Sequence, residues 1–279
     1  MKAFSKTLTG IVALIPSLAI CAGTVPGNYP KDLLYKGKPI DTLCIYEAQN
    51  PNEAIPLASC GINSIGERKV VGQNRRMLAK GFIGYNYNVF TAGSKSAMPN
   101  AYSYYRILGN INGIYIISAI NNSGGSGQFT AIYLLKREGD ILHVSSVASG
   151  DRCNNGIADA QVKNQQLLFT TYITPYDFLT ISNQNPYNLN GYHDLDSCAT
   201  CCQAKISYQI ITGQDSDNIK MLSIDIGDKV ISTEGQSGYQ VCFNRLIADY
   251  QSKGDRHLSP QQLDVLVHTF NEDCVRKDA

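Results

Sequence analysis

The chain has 279 residues, a formal charge of +1 and only 17% charged residues. That balance leaves no basic footprint for nucleic acid or for an anionic membrane surface, so partners are expected to be met through polar and aromatic contacts. Seventeen tyrosines, no tryptophan and many neutral polar residues fit an exported protein with a tyrosine-rich binding surface.

The chain opens Met1-Lys2-Ala3-Phe4-Ser5-Lys6, followed by an apolar run from Leu8 to Cys21 and the small residues Ala22 and Gly23. This charged, apolar, small layout predicts a signal peptide over 1–22, cleaved near Ala22. A membrane anchor is the weaker alternative, because Thr9, Gly10, Pro16 and Ser17 interrupt a run too short to cross roughly 30 Å of hydrocarbon. Lipidation at Cys21 is a second alternative, disfavoured by the bulky Ile20 before it. The segment 23–38 has no clear period and reads as surface wrapping.

Further strands are predicted over 81–90 and 102–108. The run 114–120, the glycine-rich turn Asn121 to Gly127 and the run 129–136 predict a hairpin. Strands over 141–148, 157–162 and 167–173 continue it as a meander, and 206–211 and 219–224 are expected to close the sheet. Thr174-Pro175-Tyr176-Asp177 predicts a capped short helix. At the C-terminus, Tyr239, Cys242, Phe243, Leu246, Ile247 and Tyr250 recur at helical spacing up to Gly254. Ser259-Pro260-Gln261-Gln262 then caps a second helix with Leu263, Leu266, Val267, Phe270 and Cys274 on one face.

Without Cys21, eight cysteines remain: Cys44, Cys60, Cys153, Cys198, Cys201, Cys202, Cys242 and Cys274. An even number in an exported chain reads as disulfides. Two antiparallel helices joined by a short loop would bring Cys242 beside Cys274, and a bridge is expected there. The cluster Cys198-Ala199-Thr200-Cys201-Cys202 is expected to bridge to Cys44, Cys60 or Cys153. Redox or zinc chemistry is the minor alternative, since the cluster follows a polar loop and precedes a strand.

The expected fold class is therefore α+β, mainly an antiparallel β meander with a C-terminal α-helical hairpin, braced by disulfides. Its expected divisions are a signal peptide over 1–22, a β-rich domain over 23–235 and a helical hairpin over 236–279 packed on it.

The loop Gly150-Asp151-Arg152-Cys153-Asn154-Asn155-Gly156 is the most distinctive stretch. As a binding loop rigidified at Cys153, it would offer Asp151, Arg152, Asn154 and Asn155 to a partner at small ordering cost. As a plain strand connection, Asp151 and Asn154 would satisfy backbone amides in the turn, and this is the favoured of the two readings. Gly124 to Gly127 lacks the helix and lysine of a phosphate loop and reads as a mobile hairpin tip. Asp215 to Asn218 begins like a calcium loop and then departs from it at Ile219 and Lys220. No Gly-x-Ser-x-Gly or His-Glu-x-x-His motif is present, so no catalytic residue, cofactor or metal is assigned.

The block from Gly150 to Gly156, with Ile157-Ala158-Asp159-Ala160 and Thr174-Pro175-Tyr176-Asp177-Phe178-Leu179, resembles one in uncharacterised exported proteins of Gram-negative bacteria. The resemblance covers about thirty residues, with weaker echoes at Cys201-Cys202 and in the C-terminal helices. It implies a periplasmic or secreted address and export through the type II pathway by a pathogen, and it carries over no activity and no functional residue. The leading expectation is a non-enzymatic protein that binds a protein or another envelope or host macromolecule. The rival is a secreted hydrolase with a site assembled around residues 193–202, from His193 with Asp194 or Asp196.

Overall fold

The computed structural model describes residues 29–46, 48, 52–60, 68–90, 97–154, 156–211, 219–228 and 236–276. The leader expected over 1–22 and the acidic stretch 215–218 lie outside them. Among the described residues no helix is long and apolar enough to cross a membrane.

In chain order the elements are β1 (Leu34–Tyr35), β2 (Lys38–Pro39), α1 (Thr42–Tyr46), β3 (Glu53–Pro56), β4 (Arg68–Gly72), α2 (Arg75–Ala79), β5 (Ile83–Phe90), β6 (Ala97–Ile111), β7 (Ile114–Asn122), β8 (Phe129–Glu138) and β9 (Ile141–Gly150). They continue with β10 (Ile157–Lys163), β11 (Gln166–Ile173), α3 (Pro175–Ile181), β12 (Ala204–Ile211), β13 (Ile219–Asp225), α4 (Gly238–Ser252), β14 (His257–Leu258) and α5 (Pro260–Phe270).

The strands form two large antiparallel sheets rather than one closed meander. The first has the order β3-β9-β8-β7-β6-β5-β4 and the second β10-β11-β12-β13-β14. Neighbours in sequence still pair within each sheet, because short turns return the chain beside itself. The break comes after β9, where the loop 150–156 carries the chain into the second sheet, so the strands expected to close the first sheet extend a different one.

Side-chain alternation gives the first sheet two buried faces. On one, Tyr105, Ile117, Ala119, Ala131, Tyr133, Leu135, Leu142 and Val144 pack against Leu33, Ile40, Cys44, Ile45 and Leu57 of the N-terminal segment. Residues 29–40 therefore supply core, whereas surface wrapping was expected. On the opposite face, Ile111, Ile116 and Ile132 meet Ile157, Ala160, Leu167, Phe169 and Ile210 of the second sheet.

The second sheet divides a single face between two coverings. Leu167 and Phe169 on β11 face the first sheet, while Ile173 on the same side of the same strand joins a core made with the helices. That core holds Ile206 and Ile224 of the sheet against Phe178 and Leu179 of α3, Phe243 and Leu246 of α4, and Leu263, Leu266, Val267 and Phe270 of α5. Phe243 lies edge-on to both Phe178 and Phe270, at centroid distances of 5.3 and 5.7 Å, which locks the three helices together.

The helix starts follow the sequence signals. Thr174 and Ser259 both form capping boxes, with Asp177 and Gln262, and Pro175 and Pro260 occupy the first turns. The connection between α4 and α5 contains β14, where Ile224 pairs with Leu258 and Asp225 with His257. His257 was expected in a loop. The linker is thus part of the second sheet, and both helices are seated on that sheet through the shared core.

Few tyrosines stand fully exposed, and several are built into the cores. Only Tyr187 and Tyr192 of the seventeen are exposed, at 42% and 68%. Tyr105 shares a 2.5 Å hydrogen bond with the Tyr29 hydroxyl and donates to the Ile40 carbonyl at 3.1 Å. Tyr85 donates to Asp41, and Tyr104 to Asn86. Such phenols bury ring area while keeping the hydroxyl paired.

Two tests follow from this packing. A Cβ at Gly109 on β6 would lie 2.8 Å from the Cβ of Val162 on β10, where the two sheets pack in close contact. Gly109→Ala is expected to cost ~1–3 kcal/mol in urea unfolding by forcing the sheets apart. The second concerns alkaline pH, since burial pushes the Tyr29 and Tyr133 phenols from 10.0 up to about 12. The unfolded chain releases these protons first, so their contribution is intact below pH 10 and declines as the pH climbs from 10 towards 12. Tyrosinate absorbance followed with circular dichroism should show late ionisation coinciding with unfolding.

Candidate functional site

Where the two coverings of the second sheet meet, they leave a cleft of about 370 Å³. Ser149 and Gly150 at the end of β9, and Asp151 and Arg152 of the following loop, form one wall. Asp177, Thr180 and Ile181 of α3 form the other, and Thr171, Ile173 and Tyr208 form the floor. Tyr208 packs beside both cores and stacks on Phe169 at 5.1 Å. Its phenol is pushed up by burial, against a lowering hydrogen bond with Thr171 and with a further upward push from the Asp177 carboxylate.

The loop wall is fixed by covalent and polar links together. Cys153 stands at disulfide distance from Cys202, with a Cα separation of 5.8 Å, and its amide donates to the Ala199 carbonyl at 2.5 Å. Gly156 N donates to the Arg152 carbonyl at 2.7 Å, so a backbone hydrogen bond closes this turn. At Gly156, φ is +62° and a Cβ would fall 2.3 Å from the Gly150 carbonyl oxygen, so only glycine fits. Cys153 itself adopts φ 54°, a left-handed conformation held by its two attachments.

Arg152 is committed across the cleft. Its Nε donates to Asp177 Oδ2 at 3.4 Å, and its Nη1 lies 4.0 Å from Asp151 Oδ1. The same Asp177 oxygen accepts from Thr174 N at 2.8 Å and Thr174 Oγ1 at 2.9 Å. One carboxylate therefore caps α3 and pins the loop arginine. Asp151, Arg152 and Cys153 are brought together at this wall; Asn154 is described for its backbone alone, and Asn155 lies outside the described residues.

A second depression, of about 200 Å³, flanks the same end of β9. Tyr46, Phe129, Ala131 and Tyr133 line it, and it shares Ser149 and Gly150 with the cleft. Phe129 is 39% exposed there. The adjoining hairpin tip is tied down, since Asn122 Nδ2 donates to the carbonyls of Gly125 and Gly127 and Asn122 Oδ1 accepts from Gly124 N.

The residues of the rival site are spent differently. Asp194 Oδ2 accepts from Asn190 N, and Asp196 Oδ2 from Gln236 Nε2. Ser237 of the α4 cap donates to the Asp194 carbonyl, and Gln240 Oε1 accepts from Asp196 N. The loop is thus stitched to the start of α4, with His193 exposed. Among the described residues no group of His, Cys, Asp and Glu is placed to hold a metal ion.

The remaining cysteine pairs at disulfide distance are Cys44 with Cys60, Cys198 with Cys201, and Cys242 with Cys274. Within the 198–202 cluster only Cys202 reaches out, to Cys153. The expected links from the cluster to Cys44 or Cys60 do not form, because those two residues pair with each other beside the first sheet. The sequence reading missed Thr171, Tyr208 and the link from Arg152 to Asp177. The loop at 150–156 and the capping motif at Thr174 were the visible signals near them.

A variant series separates the two tasks of Asp177. Asp177→Ala removes a cap and an ion-pair partner together, and an expected loss of ~1–2 kcal/mol should appear in denaturant unfolding. Arg152→Ala, which breaks only the partly exposed pair, should cost ~0–1 kcal/mol. The reverse order would mean that the arginine, and not the helix cap, carries the stabilisation. No family model matches this chain, and neither do any curated proteins or solved structures.

Proposed function

We propose that this is an exported, non-enzymatic protein that binds a macromolecular partner, an envelope or host protein, across the cleft and the adjoining apolar depression. The observation that carries the reading is the wall they share. Ser149 and Gly150 separate a polar hollow from an apolar one, and the loop that continues from them is held by the links of Cys153 and by Arg152 on Asp177. A surface ordered before binding loses little conformational entropy on association. The pairing of an exposed aromatic with a guanidinium matches the residue types that dominate binding energy at protein interfaces.

The address belongs to the same reading. A leader cleaved near Ala22, passage through the type II pathway of a Gram-negative pathogen and a role in virulence would place the oxidised cysteines in a compartment that preserves them. Seated on the second sheet, α4 and α5 would act as the C-terminal helical hairpin that backs the scaffold.

The reading is tested by capture from envelope and host extracts with the purified mature chain. Phe129→Ala and Arg152→Ala should each weaken retention of the captured partner on the order of tenfold. Val265→Ser, at a 57% exposed position on α5, should leave it unchanged. Equal retention by all three folded variants would sink the proposal, as would an N-terminus beginning at Met1 in native material.

A further inference from the structure

The four cysteine pairs are not equivalent. Cys44 and Cys274 are buried, at 8% and 3% exposure, so the pairs Cys44–Cys60 and Cys242–Cys274 are each anchored in a core. Cys198 and Cys201 are both half-exposed. Sequence separations of 16, 49 and 32 give the other three pairs loops worth closing, whereas Cys198 and Cys201 are separated by 3. A cross-link restrains the unfolded chain less as its loop shortens, so this bond adds the least to stability.

Its surroundings favour chemistry instead. The Thr200 hydroxyl lies 3.4 Å from Cys198 Sγ. A hydroxyl that donates to a thiolate stabilises it, which makes that sulfur the better leaving group in exchange.

We propose that the Cys198–Cys201 bond is a thiol–disulfide exchange site whose co-reactant is an external dithiol. The co-reactant's thiolate attacks Cys201 Sγ and forms a mixed disulfide. The Cys198–Cys201 bond breaks, and its electron pair leaves on Cys198 Sγ, where the Thr200 hydroxyl donates to it until a proton arrives from solvent. The second thiol of the co-reactant, as thiolate, then attacks its own sulfur in the mixed disulfide and releases Cys201, which is protonated in turn. Two electrons and two protons pass to the protein, and the dithiol becomes a disulfide. The Cys153–Cys202 pair, which spans the loop and the cluster, remains closed.

The test uses the full oxidised mature chain and limiting dithiothreitol, with new thiols trapped by iodoacetamide and assigned by peptide mass spectrometry. The first two alkylated residues should be Cys198 and Cys201, at least about tenfold faster than any other pair, with circular dichroism and the melting temperature unchanged. Thr200→Val, at an exposed position, should slow that phase several-fold and leave the other three pairs unaffected. The proposal is overturned if another pair opens first, if the fold is lost with the first reduction, or if non-reducing peptide mapping joins Cys198 or Cys201 to any other cysteine. An unchanged rate in Thr200→Val would overturn the part assigned to the hydroxyl.

Discussion

The second sheet has one apolar side and two bodies that need it. The first sheet takes the end bearing Leu167, Phe169 and Ile210, and the helices take the end bearing Ile173, Ile206 and Ile224. Between the two, a seam is left along the line of Thr171 and Tyr208. The cleft is that seam, and its walls are the two bodies themselves. Its position follows from the division of apolar surface, and its polarity from the residues that must line an incomplete seal.

The cysteine pairs serve different ends. The Cys242–Cys274 and Cys44–Cys60 pairs each join a core residue to a less buried one, which reinforces packing already present. Cys153 with Cys202 does something different. It fastens a left-handed residue in a strand connection to the polar loop that precedes β12. The same region collects Arg152, Asp177 and the Ala199 carbonyl, so covalent and polar restraint stand in for apolar packing there.

Much of the secondary structure was legible because the local signals agreed with one another. The β-branched runs at 114–120 and 129–136 are bounded by Asn, Gly and Ser, and the boxes at Thr174 and Ser259 are spelled out in the chain. What could not be read was which plane each strand joins. A meander pattern looks the same whether the next hairpin extends the sheet or folds over it, and the distinction rests on contacts such as Gly109 against Val162. The pairing of β3 with β9 joins residues about ninety positions apart, with no local trace of it. Tyrosine composition could not say where each ring goes for a related reason, since a phenol whose hydroxyl finds Asp41, Asn86 or a backbone carbonyl is as good a core residue as a surface one. At the candidate site, Arg152 was visible as a charge in a loop. Its carboxylate partner 25 residues later could be recognised only as a helix cap.

The outer strands carry a consequence for behaviour at high concentration. On the first sheet, β3 has four residues and ends in Pro56, while β4 presents Arg68 and Lys69 beside the exposed Val70 and Val71. On the second, β14 has two residues, whereas the other edge, β10, runs for seven residues and ends in Lys163. Short, proline-ended and cationic margins offer another molecule little unpaired backbone to zip onto. A strand-rich protein is thereby shielded, at the margins formed by β3, β4 and β14, from fusing sheet to sheet with its own copies.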